Sequence, residues 1–253
     1  MNAPNMSPFL FVTDLDNTLV GDDEALTRLN QELANHRQQY NSKIVYATGR
    51  SLYLYRLLAE AKSLLEPDAL ITSVGTEMYF DNNHQEYDSE WASILAQGWN
   101  REEIVSIASQ FSELQSQPNS EQNPFKISYY LAQAVADEVL TKLKSALNEK
   151  GYGVKLIYSA GQDLDVLPRN GDKGLAVKFL RQRWDIPAEK TIVCGDSGND
   201  ISMFQGHEKG LIVSNAKPEL LNWYQNNKNN NLYLAQSICA GGILEGLKHF
   251  SFL

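Results

Sequence analysis

The sequence predicts an α/β protein in which a parallel sheet with helices on both faces carries a smaller inserted α+β unit. Three observations lead there. Short apolar runs alternate with amphipathic helical stretches, the rhythm of strands joined by right-handed crossovers. The runs near residues 9–13 and 191–195 both end in acidic residues, where open α/β sheets gather their ligands. Between residues 84 and 160 the rhythm changes to helix, strand, helix, strand, which suits a separate small unit. The core is therefore expected to be Rossmann-like, formed by residues 1–81 and 161–253, with the insertion over 82–160.

In chain order, residues 9–13 are apolar or β-branched and read as a buried strand. Residues 24–40 space Leu26, Leu29 and Leu33 along one helical face. A second strand over 43–48 is broken by Gly49-Arg50 before a helix at 51–65, and a third strand follows at 68–75. Residues 77–80 suit a short hairpin partner, ended by a turn at 81–83. The insertion then reads as a helix at 90–111, a polar loop at 115–123, a strand at 125–131, a helix at 135–150 and a strand at 154–159. The α/β rhythm resumes with a helix at 173–184, a strand at 191–194 and a short helix from Asn199. A strand at 210–213, a helix from Pro218 to about residue 225, a strand at 232–234 and a helix at 242–250 complete the chain.

Composition narrows the functional classes. The 253 residues are 43% hydrophobic and 21% charged, as in ordinary globular proteins. A net charge of −9 argues against a nucleic-acid partner, which would need a basic face. Only Cys194 and Cys239 are present, too few for a disulfide framework and without zinc-site spacing, so both are expected as buried thiols. Residues 1–8 lack the regions of a signal peptide and no apolar run approaches a membrane span, which predicts a cytoplasmic protein with no membrane partner.

The first strand delivers Asp14 and Asp16, two residues apart. On an extended segment they point the same way, and their repulsion makes joint ionisation costly unless a cation lies between them. Asp, Asn and Thr after a strand also suit a turn or a helix cap. A second acidic cluster, Gly195-Asp196-Ser197-Gly198-Asn199-Asp200, follows another apolar strand. Alone it could be a Gly-rich turn. If the two strands are neighbours, however, Asp14, Asp16, Asp196 and Asp200 converge, and a hard divalent cation such as Mg²⁺ is needed beside a phosphate.

Thr48 and Gly49 end a strand and could offer a hydroxyl and backbone N–H groups to an anion, although Thr-Gly is also an ordinary turn pair. Lys173 stands where a helix begins, a position that disfavours cations, so it needs an anionic partner unless it is simply exposed between Asp172 and Gly174. Together these residues suit phosphoryl transfer. Asp14 can attack phosphorus, with Lys173 and a metal offsetting charge repulsion, while Asp16 donates and later accepts a proton. No Walker loop, Gly-x-Ser-x-Gly elbow or His-Glu-x-x-His is present.

Asp14-Leu15-Asp16-Asn17-Thr18, Thr48, Lys173 and the segment from Gly195 to Asp200 resemble, in order, the four motifs of the haloacid-dehalogenase-like phosphatases. The insertion looks like the larger type of cap domain of that superfamily. A closer resemblance, to the sucrose-phosphate phosphatases, runs from Phe9 to Leu253. It is most distinctive at the opening Asp-Leu-Asp-Asn-Thr, at Glu121-Gln122-Asn123-Pro124-Phe125-Lys126-Ile127-Ser128-Tyr129, and from Cys194 to Asp200.

The resemblance implies Mg²⁺-dependent hydrolysis of sucrose 6-phosphate through an aspartyl-phosphate, the last step of sucrose synthesis. It makes Asp14 the nucleophile and a metal ligand, and Asp16 the acid/base that lends the metal its backbone carbonyl. Asp196 is implied as a ligand and Asp200 as a ligand or orienting group. Thr48, Lys173 and Asn199 would hold phosphoryl oxygens, with Gly49 and Arg50 at the rim. Planar polar groups hold sugars, and Arg50, Gln122, Asn123, Lys126, Ser128 and Asp163 offer that chemistry, although residues 115–124 also suit a solvated loop. A cap closing over the sugar would exclude water.

Two alternatives stand beside this reading. One is a phosphatase or phosphomutase of another hexose phosphate; the other is a catalytically silent module that binds sugar phosphates. The expected partner is a small-molecule sugar phosphate. Association with a sucrose-phosphate synthase is a further expectation that no motif here carries.

Overall fold

The computed structural model describes residues 7–80 and 86–253. The turn expected at 81–83, the start of the insertion, and most of the stretch read as lacking a signal peptide lie outside them. Among the described residues no helix is long and apolar enough to cross a membrane.

Strand β1 (Leu10–Thr13) is buried throughout. Helix α1 (Asp23–Tyr40) starts where the Asp22 side chain accepts from the Ala25 N–H, and ends where Asn41 turns left-handed. There follow β2 (Lys43–Ala47), α2 (Leu52–Ala61), β3 (Ala69–Thr72) and β4 (Glu77–Tyr79). The helix expected over 90–111 is two, α3 (Ser89–Leu95) and α4 (Arg101–Ala108). Gly98, at φ 72°, breaks the first, and the Asn100 side chain caps the second by accepting from the Glu103 N–H.

The polar loop holds a two-residue strand, β5 (Gln115–Ser116), before β6 (Ile127–Tyr130), α5 (Ala136–Glu149), β7 (Val154–Ser159) and β8 (Asp163–Pro168). The chain then forms α6 (Lys173–Arg183), β9 (Thr191–Gly195), a 3₁₀ helix over Gly198–Gln205, β10 (Lys209–Ile212), α7 (Pro218–Asn227), β11 (Leu232–Leu234) and α8 (Cys239–His249).

Among the described residues the large sheet has the order β11-β10-β9-β1-β2-β3-β4, parallel except for the β3–β4 pair. The chain winds outward from β1 through β2 and later returns on its other side through β9. The switch point therefore lies between β1 and β9, where crevices form at strand C-termini. Alternation sends Phe9 and Phe11 to one face, against Leu26, Leu29, Leu33, Ile243 and Leu247 of α1 and α8. Leu10 and Val12 go to the other, against Trp91, Ala176, Val177, Leu180 and Leu220 of α3, α6 and α7.

The smaller sheet has the order β5-β6-β8-β7 and is antiparallel. Strand β8 is an element that the apolar pattern does not predict. It pairs with both β6 and β7, so the boundary expected between residues 160 and 161 falls inside the β7–β8 hairpin, and the chain returns to the large sheet after Pro168. Its Asp-Leu-Asp-Val pattern has the period of a half-buried strand, masked by acids that are uncommon in strands. Ile127, Tyr129, Leu164 and Val166 pack on Ile104, Ile107, Val139, Leu143 and Leu147 of α4 and α5. The alternate positions, including Lys126, Tyr130, Asp163 and Asp165, face a cleft against the large sheet.

Candidate active site

Register alone brings the two acidic motifs together. Thr13 pairs with Cys194 across β1 and β9, and the Asp14 N–H donates to the Cys194 carbonyl at 3.0 Å. Asp14 and Asp196 thus leave neighbouring strand ends side by side. A Cβ at Gly195 would lie 2.5–2.7 Å from the Asp200 side chain. Only glycine lets that acid fold back under the strand tip. The Asp200 Oδ2 then accepts from the backbone N–H groups of Asp196 and Ser197, each at 3.0 Å.

Lys173, the first residue of α6, is fully buried. Its ammonium donates to Asp14 Oδ1 at 2.8 Å and to Asp200 Oδ1 at 2.7 Å. Burial pulls its pKa down, yet attraction to the two carboxylates outweighs this and leaves it above the usual lysine value. One ammonium is too little for the acids around it. Asp14 is pushed up to about 7, chiefly by burial, with Lys173 opposing and the charges of Asp200 and Asp16 adding. Asp196 rises to about 8, by burial and the charges of Asp200 and Asp14, against the pull of Lys173 and Lys217.

Asp14, Asp196 and Asp200 each offer one carboxylate oxygen, all within 4.8 Å of one another. This oxygen-only, under-compensated set fits a hard divalent cation. Asp200 already spends both oxygens on Lys173 and two N–H groups, so it orients the cluster. The Asp16 carboxylate is not part of it. Arg50 grips that carboxylate with Nε on Oδ2 and Nη2 on Oδ1, both at 2.7 Å, a bidentate pair. Only the Asp16 main-chain carbonyl remains for the metal role the resemblance implies.

Thr48 is buried at the end of β2, and its Oγ1 accepts from the Arg50 N–H at 3.1 Å. Gly49 and Asn199 line the cleft itself, and among the described residues the buried Oδ1 of Asn199 has no hydrogen-bond partner. A turn after β3 supports this edge: Ser73 and Val74 are both left-handed, at φ 53° and 59°. The Val74 N–H donates to the Thr48 carbonyl and the Ser73 N–H to that of Arg50. The Glu77 carboxylate holds the turn by accepting from the Thr72 and Ser73 hydroxyls.

The cleft encloses about 500 Å³ between the two sheets, within the roughly 300–1,000 Å³ of small-molecule sites. Of the residues expected to meet a sugar, Arg50, Lys126 and Asp163 line it. Gln122 turns back to the backbone, donating to the Ser128 carbonyl at 2.8 Å and accepting from the Ser128 N–H at 3.0 Å. Asn123 donates to the Thr76 hydroxyl at 2.9 Å and ties the smaller unit to the large one. Ser128 is buried and donates to Asp165 Oδ1 at 2.5 Å, with Lys126 Nζ at 3.5 Å from the same oxygen.

Asp165, Gln117, Glu121 and Lys217 also line the cleft, a place the sequence does not predict for them. The first could have been found: two residues from Asp163 on a strand, it must share its face. Two further bonds join the smaller unit to core loops. Lys155 of β7 pairs with Asp172, which also caps α6 by accepting from the Leu175 N–H. Glu219 accepts from the Ala160 N–H at 3.2 Å and the Gly198 N–H at 3.4 Å.

Residues 7–251 match the sucrose-6F-phosphate phosphohydrolase family. A probable sucrose-phosphatase of Arabidopsis thaliana is 39% identical over 95% of this chain and 59% of its own. The chain thus spans about three fifths of that plant relative. A mannosylfructose-phosphate phosphatase of Agrobacterium fabrum is 31% identical, over 95% of this chain and 96% of its own. The solved sucrose-phosphatase of Synechocystis sp. PCC6803, in complex with sucrose and phosphate, is 42% identical with a TM-score of 0.90, covering 98% of this chain and 100% of that one. The fold recurs in haloacid-dehalogenase-superfamily phosphatases of known structure.

Proposed function

The chain belongs to the sucrose-6F-phosphate phosphohydrolase family, and from that premise we propose that it hydrolyses sucrose 6-phosphate to sucrose and phosphate, with Mg²⁺ as cofactor. The observation that carries the reading is the shared ammonium of Lys173, which fixes Asp14 at the strand tip with its Oδ2 free of that bond.

In the reaction proposed, an Asp14 carboxylate oxygen attacks phosphorus and the bond from phosphorus to the sugar oxygen breaks. Asp16 protonates the departing oxygen. Water then attacks the aspartyl-phosphate, Asp16 takes its proton, and phosphate leaves with Asp14 restored. Because both Asp16 oxygens accept from Arg50, proton delivery requires the guanidinium to leave at least one of them. Thr48, Gly49 and Asn199 would receive phosphoryl oxygens. A bound Mg²⁺, held by Asp14, Asp196 and the Asp16 carbonyl, would supply the positive charge that lets a carboxylate approach a phosphate dianion.

The smaller unit acts in this reading as a cap. Its cleft face, with Lys126, Asp163 and Asp165, presents acceptors and donors to sugar hydroxyls, and its closeness to the strand tips excludes bulk water.

The test is phosphate release by the Mg²⁺-loaded chain across a panel of sugar phosphates. The highest kcat/KM is expected for sucrose 6-phosphate. A preference for a monosaccharide phosphate would move the assignment to another hexose phosphate, and a preference for mannosylfructose phosphate would align the chain's specificity with the Agrobacterium enzyme that it matches over its full length. Binding of sugar phosphates with no phosphate release would leave a silent binding module.

A further inference from the structure

The carboxylates that line the cleft outnumber its cations, and a bound divalent ion would narrow that excess without removing it. Six carboxylates line it, those of Asp14, Asp16, Glu121, Asp163, Asp165 and Asp196, against the cations Arg50, Lys126 and Lys217. The chain as a whole carries −9. A phosphate dianion approaching through this field is repelled. Most of the cations are already committed. Arg50 is bound to Asp16 through two nitrogens, Lys126 faces Asp165, and Lys173 beneath the floor is shared by Asp14 and Asp200.

Lys217 differs. Among the described residues no hydrogen bond or ion pair holds its ammonium, whose charge acts on Asp196 from beyond contact distance. Its main chain is fixed: its N–H donates to the Asp196 carbonyl at 2.7 Å, and Pro218 follows it as the first residue of α7. The half-buried side chain stands on the wall shared by the catalytic cleft and an adjoining hollow of about 330 Å³. A compact charge on a flexible four-carbon stem can follow an anion into the cleft.

Resting on the phosphatase reading, we propose that Lys217 is the capture cation of the cleft: it draws in the phosphate group of the substrate and holds it beside Asp196 as it reaches Asp14. It lies outside the four motifs that resemble the superfamily. An ordinary exposed lysine with no such task would leave anion affinity unchanged on removal.

The experiment uses the full chain loaded with Mg²⁺ and inorganic phosphate as probe, titrated calorimetrically at several salt concentrations. Lys217→Gln is expected to weaken phosphate binding about fivefold at low salt and to flatten its dependence on ionic strength. Lys217→Arg, which keeps the charge, is expected to stay within about twofold of the parent. With the best sugar phosphate, Lys217→Gln should raise KM by more than it lowers kcat. Phosphate affinity and salt dependence equal to the parent's would overturn the proposal, as would equal losses in the Gln and Arg variants or no phosphate binding by the parent. If phosphate binding weakens as expected but no sugar phosphate is hydrolysed, Lys217 stands and the phosphatase reading fails.

Discussion

The two walls of the cleft are built on different principles. On the large sheet, Asp14, Asp196 and Asp200 are placed by backbone register and backbone N–H groups, and Lys173 locks Asp14 and Asp200 from below. On the smaller sheet the polar residues are simply the alternate positions of antiparallel strands, held by one another: Ser128 on Asp165, Gln117 on Asp163. The first wall is preorganised and charged, as chemistry at a fixed point requires. The second is an adaptable face of hydroxyl, amide and carboxylate, suited to choosing among sugars.

Variants can break or sharpen this contrast. The largest effect belongs to Asp14→Asn, expected to lower turnover by about 10⁴-fold or more on every phosphate ester, while circular dichroism shows an intact fold. Phosphate release at the parent rate would end the nucleophile assignment. Lys173→Met should cost about 10²-fold or more in kcat on all substrates and also destabilise the chain by about 3–5 kcal/mol in denaturant unfolding, since two buried carboxylates lose their counter-charge.

Substitution on the other wall should separate substrates instead. Asp165→Asn is expected to raise KM for the disaccharide phosphate about tenfold, yet to leave hydrolysis of p-nitrophenyl phosphate, which has no sugar, within about twofold. Equal losses on both substrates would mean that the two walls are not functionally distinct.

Acidity gives a further contrast. Asp14 and Asp196 hold their protons more tightly folded than unfolded. The stability they contribute is complete below about pH 4 and is lost as pH rises through about 7 to 8. A cation that binds the ionised pair restores it. Mg²⁺ should therefore raise Tm more at pH 8.5 than at pH 5.5, a difference that calorimetry resolves; an equal rise at both would mean that the pair does not hold the metal. The smallest effect is expected for Asn123→Ala, which removes the bond to Thr76 and should cost about 1 kcal/mol in denaturant unfolding.

The same contrast explains what could be read from the sequence. Asp14, Asp196, Lys173 and Thr48 were legible because each follows or opens an element whose apolar pattern marks it, and parallel register does the rest. The Arg50 grip on Asp16 was not, because it joins two loops through side chains alone. Gln122 and Asn123 had the chemistry of sugar ligands but face their own backbone and Thr76, since a loop gives no period from which to read direction. Strand β8, with Asp165, was hidden by acids that look like loop residues until their alternation is counted. The helix expected over 90–111 is interrupted at Gly98, whose left-handed turn an apolar pattern does not reveal.

The turn after β3 has one more consequence. Gly75 packs against the main chain of Asp172 and Lys173, its carbonyl accepts from the Trp91 indole at 3.0 Å, and its neighbour Thr76 receives Asn123 of the smaller sheet. A second indole, that of Trp99, donates to the carbonyl of Pro124, next to Asn123. Two of the four tryptophans thus stand on either side of the joint between the walls, and with Trp184 and Trp223 replaced by Phe their emission, followed in time as a sugar phosphate is mixed in, would give an optical record of that joint without any added label.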